Sequence, residues 1–527
     1  MRRTIFASLS LLTLGCIAGC GGGGSGSIGS TGGTQPNAFS GQYAFSLAGY
    51  DSNANPIGIS GSVTADGLGH INGGEVDVND NGVFSSSTSL TGSYSFDSSG
   101  ESTLGTITLT NTVGSLAHPL GFGFSLQTSG DFGQIMSLDA NNFIAGGTMQ
   151  QQTASAFTLS ALAGDYIVTL NGRNSSSPTS ALGHFTLASS GSTSNVVFDR
   201  SVAGVGTAGP TTGASATVTF SATNPDASGR GTLTLALDDA FASGTQNFAY
   251  YTISAKRLVA VETDATGTMT ADFSGQSTPF TSTTVVTTGA VFGIAGLDTA
   301  ASNEITAVGQ LQVTGTGPTG GTVNWDSNDA GSIFGPVSLA SQAVTFDPTT
   351  GRGTVTVTSG AANGLGDALV FYLTAPGTGF LMDATAAATN RAMAGTLTAQ
   401  ATGPYSASTD LSGLGIVRSR GSSVNDAIAI VGLFGLSSGS TTSYSFLFDD
   451  RFPDDGVQTE MDTTISGISL LTLNSTVGRG TLALPNGSST STEVFYVVGP
   501  NQFVFTDISP VSSGVNGASS LFFVNPH

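Results

Sequence analysis

The residues best suited to chemistry lie in an acidic turn near the start of the chain. Asp77, Asn79 and Asn81 alternate with other residues just before Gly82. This spacing matches the first half of a calcium loop, in which side-chain oxygens converge on a hard cation. The twelfth loop position holds Thr88 instead of a bidentate glutamate, and Asx residues before glycine also form turns without any ion. Two predictions stay open, a calcium site and a plain turn, and the absence of glutamate favours the turn.

The acidic turn belongs to a pattern that occurs four times: a glycine, a strand, a Gly-rich turn and a second strand that ends in an acidic residue. The leading glycines lie 122, 126 and 123 residues apart, at Gly61, Gly183, Gly309 and Gly432. The acidic residues that frame the repeat are Asp77, Asp199, Asp326 and Asp449. Such a period predicts four related modules.

Three of the four copies also contain the sequence GRGT before a strand. Its arginines are Arg230, Arg352 and Arg479. Because the whole chain has only 13 basic residues, these repeated cations need a specific role. We expect each arginine either to bind an anionic group or to pair with the acidic turn of its own module.

Composition excludes several classes of function. The net charge is −21, so the chain lacks the cationic surface that neutralises phosphates, and we expect no nucleic-acid partner. The four histidines show no metal-ligand spacing. We assign no catalytic residue and expect no enzymatic activity, and calcium is the one cofactor that stays under consideration.

The N-terminus carries a targeting signal. The chain begins MRR, and an apolar run over 5–14 is too short to span a bilayer. The sequence IAGC follows and ends at Cys20; it resembles the lipobox of bacterial lipoproteins, in which this cysteine is lipidated. The resemblance implies a signal peptide over 1–19, lipidation of Cys20 and a membrane anchor. It also implies an exported protein of the bacterial cell envelope, and Gly21 is compatible with the outer membrane. An ordinary secretory signal is the alternative.

The rest of the chain predicts β-structure. Tyr43, Phe45 and Leu47 alternate with small or polar residues, which is the period of a half-buried strand. Similar short segments, separated by Gly, Ser, Asn and Asp, recur in every copy and indicate antiparallel meanders. We therefore predict an all-β fold of four tandem antiparallel β-meander modules, each a small barrel or a sandwich.

The period also sets the module boundaries. A Gly/Ser tether over 20–37 precedes the first module, and the joints between modules are short. We expect the modules to follow one another as separate beads in a row. Their predicted ranges are 38–155, 156–280, 281–403 and 404–527.

Repetition without a repeated catalytic constellation favours a structural, adhesive or display role, because linked weak sites raise avidity. The first alternative is a binding protein whose barrels hold a small apolar or carbohydrate ligand. The second is a secreted hydrolase. Beyond Cys20 the chain resembles secreted β-repeat proteins in general, which implies no activity. A surface polymer or another protein is the expected kind of partner.

Overall fold

The computed structural model confirms the all-β prediction. Its strands form four antiparallel sheets, and each sheet lies within one of the predicted module ranges. The structure describes residues 39–51, 53, 55–96, 103–114, 119–138, 143–174, 177–203, 205–212, 215–238, 243–277, 280, 286–298, 303–329, 331–358, 360, 364–385, 390–422, 427–436, 442–452, 456–486, 489–508 and 520–527.

The first module is a nine-stranded sheet with the order β2-β1-β9-β8-β7-β6-β5-β3-β4. Strand β2 also pairs with β3, so that all strands except β4 form a closed series of pairings. Its strands are β1 Ser40–Asp51, β2 Pro56–Asp66, β3 His70–Asp80, β4 Val83–Thr88, β5 Gly92–Phe96, β6 Leu104–Leu109, β7 Gly121–Leu126, β8 Phe132–Ser137 and β9 Phe143–Gln151.

The second module is a nine-stranded open sheet with the order β13-β12-β11-β10-β18-β17-β16-β15-β14. As in the first module, the first strand pairs with the last, here β10 with β18. Its strands are β10 Gly164–Asn174, β11 Ser177–Leu187, β12 Thr193–Val202, β13 Gly206–Thr212, β14 Ala216–Phe220, β15 Arg230–Asp238, β16 Ser243–Ser254, β17 Arg257–Glu262 and β18 Gly267–Gly275.

The third and fourth modules are closed eight-stranded barrels, which answers the choice between barrel and sandwich for these two. The strands of the third are β19 Val286–Asp298, β20 Asn303–Val313, β21 Gly317–Asp329, β22 Ser332–Asp347, β23 Arg352–Thr356, β24 Ala368–Ala375, β25 Thr378–Asp383 and β26 Arg391–Ala399. Those of the fourth are β27 Gly413–Ser422, β28 Ala427–Leu436, β29 Thr442–Phe452, β30 Gly456–Leu473, β31 Arg479–Asn486, β32 Ser489–Gly499, β33 Gln502–Asp507 and β34 Leu521–Pro526.

In the described part of the chain, helix occurs as short turns beside the joints between modules. A 3₁₀ turn spans Ala154–Ala156, α1 spans Leu159–Leu162 and α2 spans Ala407–Asp410. The Thr158 hydroxyl caps α1 and the Ser406 hydroxyl caps α2, each by accepting a hydrogen bond from a backbone N–H. No helix among the described residues is long and apolar enough to cross a membrane.

Each module encloses its own apolar core. The alternating residues Tyr43, Phe45 and Leu47 of β1 all point into the first core and are buried, as the strand period predicts. Trp325 is fully buried in the third core. Aromatic and aliphatic side chains therefore fill the interiors of the sheets.

The outer faces of several strands are buried as well, because the modules pack against one another. The first and second modules meet through β1 and β2 against β16, β17 and β18, and the second and third through β10 and β11 against β24, β25 and β26. The third and fourth meet through β19 and β20 against β32 and β33. Strands β27 and β28 of the fourth module then contact β7, β8 and β9 of the first. The expectation of beads in a row is wrong: the four modules close into a ring.

The closing contact between the fourth and first modules is apolar. It joins outward-facing side chains of the first module, such as Met136 and Ile144, to Ile416, Val431 and Leu433 of the fourth. All five of these side chains are buried. We call this contact the seam, because it joins the two ends of the module series.

A closed ring predicts a small radius of gyration. A compact chain of this size has a radius of about 23 Å, whereas an open row of four modules is considerably larger. Small-angle scattering of the four modules, residues 38–527, should therefore give about 23 Å. Val431→Asp places an unpaired charge in the apolar seam, and we expect it to increase the radius.

The matched control is Leu471→Asp, which puts the same charge on an exposed leucine of the same module. It should leave the radius unchanged. An equal radius for the Val431→Asp protein, with its strand content intact by circular dichroism, would contradict the seam as the closing contact.

Candidate functional site at the interfaces between modules

The repeated arginines and the repeated aspartates meet across three module interfaces. Each arginine binds an aspartate that lies 153 residues earlier in the chain. The pairs are Arg230 with Asp77, Arg352 with Asp199, and Arg479 with Asp326. Pairing within one module, which the sequence favoured, is therefore wrong, since each arginine reaches into the preceding module.

The geometry of the pairs is bidentate. In the second interface, Arg352 Nε lies 2.7 Å from Asp199 Oδ2, and Nη2 lies 2.7 Å from Oδ1. The other two interfaces repeat this side-on arrangement, with N–O distances between 2.6 and 3.2 Å. Such charge-assisted, forked contacts are among the strongest hydrogen bonds in proteins, and lysine cannot reproduce them.

A tyrosine completes each contact. Arg230, Arg352 and Arg479 begin β15, β23 and β31, and each stands opposite a tyrosine of the next strand. The hydroxyls of Tyr251, Tyr372 and Tyr496 donate to Oδ2 of the same aspartates at 2.8, 2.6 and 2.9 Å. We call each set of aspartate, arginine and tyrosine a triad. The sequence patterns did not single out these tyrosines.

Burial sets the electrostatics of the triads. The aspartate side chains are 0 to 2% exposed, whereas the arginines keep 17 to 24% exposure. Burial, together with the adjacent carboxylate, raises the pKa of Tyr372 well above its usual value. Burial alone would lower the pKa of Arg352, but the hydrogen bond and charge of Asp199 outweigh it and raise that pKa. The raised pKa values keep each tyrosine of the triads a neutral phenol and each arginine a cation across the physiological pH range.

Two glycines lie directly against the carboxylates. Gly209 and Gly335 have φ values of 138° and 134°, a conformation that side-chain-bearing residues rarely adopt. A Cβ at Gly209 would come within 2.5 Å of Asp199 Oδ1, and one at Gly335 within 2.4 Å of Asp326 Oδ1. Only glycine lets the backbone approach the triad this closely.

A glutamine at each joint provides a second repeated contact. Gln152, Gln276 and Gln400 lie 124 residues apart. The Nε2 group of each donates to two backbone carbonyls of the following module, at 2.6 to 3.1 Å. The even spacing is a signal in the sequence that could have identified them.

The seam corresponds in position to the other three interfaces, but different residues stand at the positions of the triad. In the first module, Leu104 stands where the other modules have arginine, and it pairs in register with Ser125 instead of tyrosine. The Ser125 hydroxyl donates to the Gly432 carbonyl at 3.1 Å. His527 follows β34 at the position of the joint glutamines, and its Nε2 lies 2.7 Å from Thr103 Oγ1.

The strand register shows that Asp449 is not equivalent to the framing aspartates of the other three modules. In the first three modules the framing aspartate pairs with the residue just before the leading glycine. In the fourth module that partner is Val431, and it pairs with Leu447. Asp449 pairs with Ala429 and so corresponds to Asn79 and Asn328, two residues further along the strand.

The candidate calcium residues are engaged in interface and turn contacts. Asp77 belongs to the first triad. Asn79 donates to the carbonyls of Glu262 and Gly267 in the second module and accepts from Gly82 N–H. Asn81 sits in the turn with φ of 49°. The oxygens of Asp77 and Asn79 accept hydrogen bonds from protein donors, and among the described residues no group of three His, Cys, Asp or Glu side chains could hold a metal. Cys20 lies outside the described residues.

The fourfold arrangement leaves two cavities along the ring axis. They measure about 350 and about 120 Å³, and residues of all four modules line both. The first and last strands of each module face this axis. The two cavities abut at a waist of four shared residues, Ala48, Gly146, Asn171 and Thr270.

Comparison with known proteins adds no assignment. No protein-family model matches the chain, and no curated protein matches it in sequence.

Breaking a triad should lower the free energy of unfolding substantially. Arg352→Ala leaves the Asp199 carboxylate buried without its cation, so the free energy of unfolding should fall by about 3 to 5 kcal/mol. Arg352→Lys should lose part of this stability, because lysine cannot form two parallel hydrogen bonds to the carboxylate. Arg257→Ala is the control: that arginine pairs with Asp272 inside one module and both are partly exposed, so about 0 to 1 kcal/mol is expected. Equal losses at both arginines, measured by denaturant unfolding, would contradict an interface role.

A buried glutamate beside the first triad should make stability depend on pH. Glu262 is fully buried, and burial raises its pKa to about 7. Between about pH 4.5 and 7 the unfolded chain has released this proton while the folded protein retains it. The free energy of unfolding should therefore fall as pH rises through this window, by up to about 3 kcal/mol from this group.

Glu262→Gln keeps the shape and removes the titration. Relative to the natural protein, it should gain stability from pH 5 to about pH 7 and then level off towards pH 8. Asp238→Asn, which removes an exposed carboxylate on β15, should show no comparable trend. A constant difference between Glu262→Gln and the natural protein across this range would refute the assignment.

Proposed function

We propose that this chain is an exported bacterial lipoprotein, anchored through Cys20 and exposed at the outer membrane, whose four modules form a rigid ring for display. The observation that carries the proposal is the use of the repeated polar residues. The three triads and the three joint glutamines bind neighbouring modules, so the conspicuous chemistry of the sequence serves assembly.

The module interiors support a structural role over ligand storage. A barrel that holds a ligand needs an open interior, whereas the described side chains inside each module form a cluster of buried aromatic and aliphatic residues. The two cavities lie between modules instead.

The interfaces support rigidity. Each contact between consecutive modules combines an apolar patch, a buried bidentate ion pair and a glutamine that bonds two carbonyls. In the second interface, for example, Ile167 and Leu182 pack against Val370, Phe380 and Met382. Buried polar groups that are fully paired fix one arrangement of their neighbours. Such a ring would hold an exposed surface in constant orientation above the membrane.

Lipidation is tested by fractionating a bacterial host that expresses the full chain. The natural protein should remain with the membranes and incorporate labelled fatty acid, and intact cells should bind an antibody against the ring. Cys20→Ser should lose the label and leave the membrane fraction. Cys16→Ser is the control, because that residue precedes the proposed cleavage site, and it should behave as the natural protein. Retention of label by Cys20→Ser, or no antibody binding to intact cells, would count against the proposal.

A further inference from the structure

The larger axial cavity, which we call the axial site, has the size of a small-ligand pocket. Its volume of about 350 Å³ falls within the range of about 300 to 1,000 Å³ that is usual for such sites. Residues of all four modules line it, so it exists only in the closed ring.

Strand equivalence shows how the axial site is built. Ser46, Thr169 and Arg418 occupy matching positions on the first strands of three modules. Last strands contribute a second layer of matching positions: Thr148, Asp272, Thr396 and Phe523. The four modules therefore place different side chains at equivalent backbone positions. The axial site is asymmetric for this reason, although the strands that form it are repeated.

The lining is rich in groups that both donate and accept hydrogen bonds. Its partly exposed hydroxyls include those of Thr148, Thr270, Thr396 and Thr398, and its partly exposed amides include that of Gln502. An apolar ligand would displace water from these groups without replacing its hydrogen bonds, which costs free energy for each one. Sugar hydroxyls have the same dual character, so a saccharide can satisfy them.

Aromatic rings contribute to the same lining. Phe132 and Phe523 are partly exposed and come from the first and fourth modules. The guanidinium of Arg418 lies 4.6 Å from the centroid of the Phe523 ring. Flat apolar faces beside hydroxyls and amides fit the C–H face of a sugar ring, which is apolar on one side and polar at its rim.

Charge in the axial site is partly neutralised from within. Arg257 forms a bidentate ion pair with Asp272 on the adjacent strand, and both residues line the cavity. At Arg257 this pairing disfavours a phosphate or another compact anion, because an anion would have to compete with the Asp272 carboxylate. The other arginine of the lining, Arg418, lies over the Phe523 ring.

We propose that the axial site binds a neutral oligosaccharide of two or three sugar units, one per ring. The site lies between the modules, so it differs from a carbohydrate pocket inside each barrel, and it extends the display role to recognition of a glycan.

The test is isothermal titration of the full chain, kept in detergent, with maltotriose, cellotriose and xylotriose. At least one should bind at about 1 mM or tighter, with one site per chain. Four equivalent sites per chain would place the ligand in the barrels, and no binding of any probe would overturn the proposal. Binding of an acidic trisaccharide alone, such as trigalacturonic acid, would also overturn it.

Two variants locate the site. Thr396→Trp and Thr148→Trp fill the cavity from the third and first modules, and each should weaken binding at least tenfold. Thr345→Trp is the control, because Thr345 lies on the exposed face of β22, outside the cavity, and it should bind as the natural protein. If one cavity variant fails to fold by circular dichroism, the other decides. Unchanged affinity in a folded cavity variant would refute the axial location.

Discussion

The ring depends on a buried carboxylate that accepts hydrogen bonds from the next module in the chain. Asp77, Asp199 and Asp326 each lie on the outer face of a strand, where an isolated module would leave them in water. The following module covers them with an arginine and a tyrosine. A buried charge is tolerated only when it is paired and fully hydrogen-bonded. Each module therefore needs its successor in one particular orientation.

This requirement explains why the modules are not independent beads. The surface around each triad is apolar, and in an isolated module it would expose a patch such as Val370, Phe380 and Met382 of the third module. Soluble proteins seldom expose contiguous apolar patches of this kind. The apolar contact supplies most of the favourable free energy of the interface. The triad fixes the relative orientation of the two modules, because in any other orientation the buried carboxylate would be unpaired.

The seam differs from the other interfaces in a way that follows the order of the chain. Leu104, Ser125 and Leu447 occupy the positions of arginine, tyrosine and aspartate, so the ring is joined there by apolar packing and by hydrogen bonds such as those of Ser125 with Gly432 and of His527 with Thr103. Opening the seam exposes its apolar side chains to water, which costs free energy. Among the described residues, however, the seam is the one interface of the four that holds no triad, so its opening breaks no buried ion pair of this kind.

Much of the module-level structure could be predicted from local patterns. The alternation at Tyr43, Phe45 and Leu47 predicted a strand and its buried face, because strand side chains alternate between faces whatever the rest of the chain does. The repeat also predicted that Asp77, Asp199 and Asp326 share one position. The repeat pattern also assigned Asp449 to this position, and that assignment was wrong. The equivalent residue is the one that stands opposite Val431, and only the strand register shows which residue this is.

The sequence by itself determined the strand content, the four-module period and the presence of repeated arginines and aspartates, because all three are properties of neighbouring residues or of fixed spacing. Tertiary structure alone decided that Arg352 meets Asp199 of the preceding module instead of its own, and that the fourth module returns to the first. Partners 153 residues apart are selected by the packing of whole sheets. A continuous apolar run such as Val370, Phe371 and Tyr372 is typical of a strand buried on both faces, yet which module covers the outer face depends on the shape of the ring.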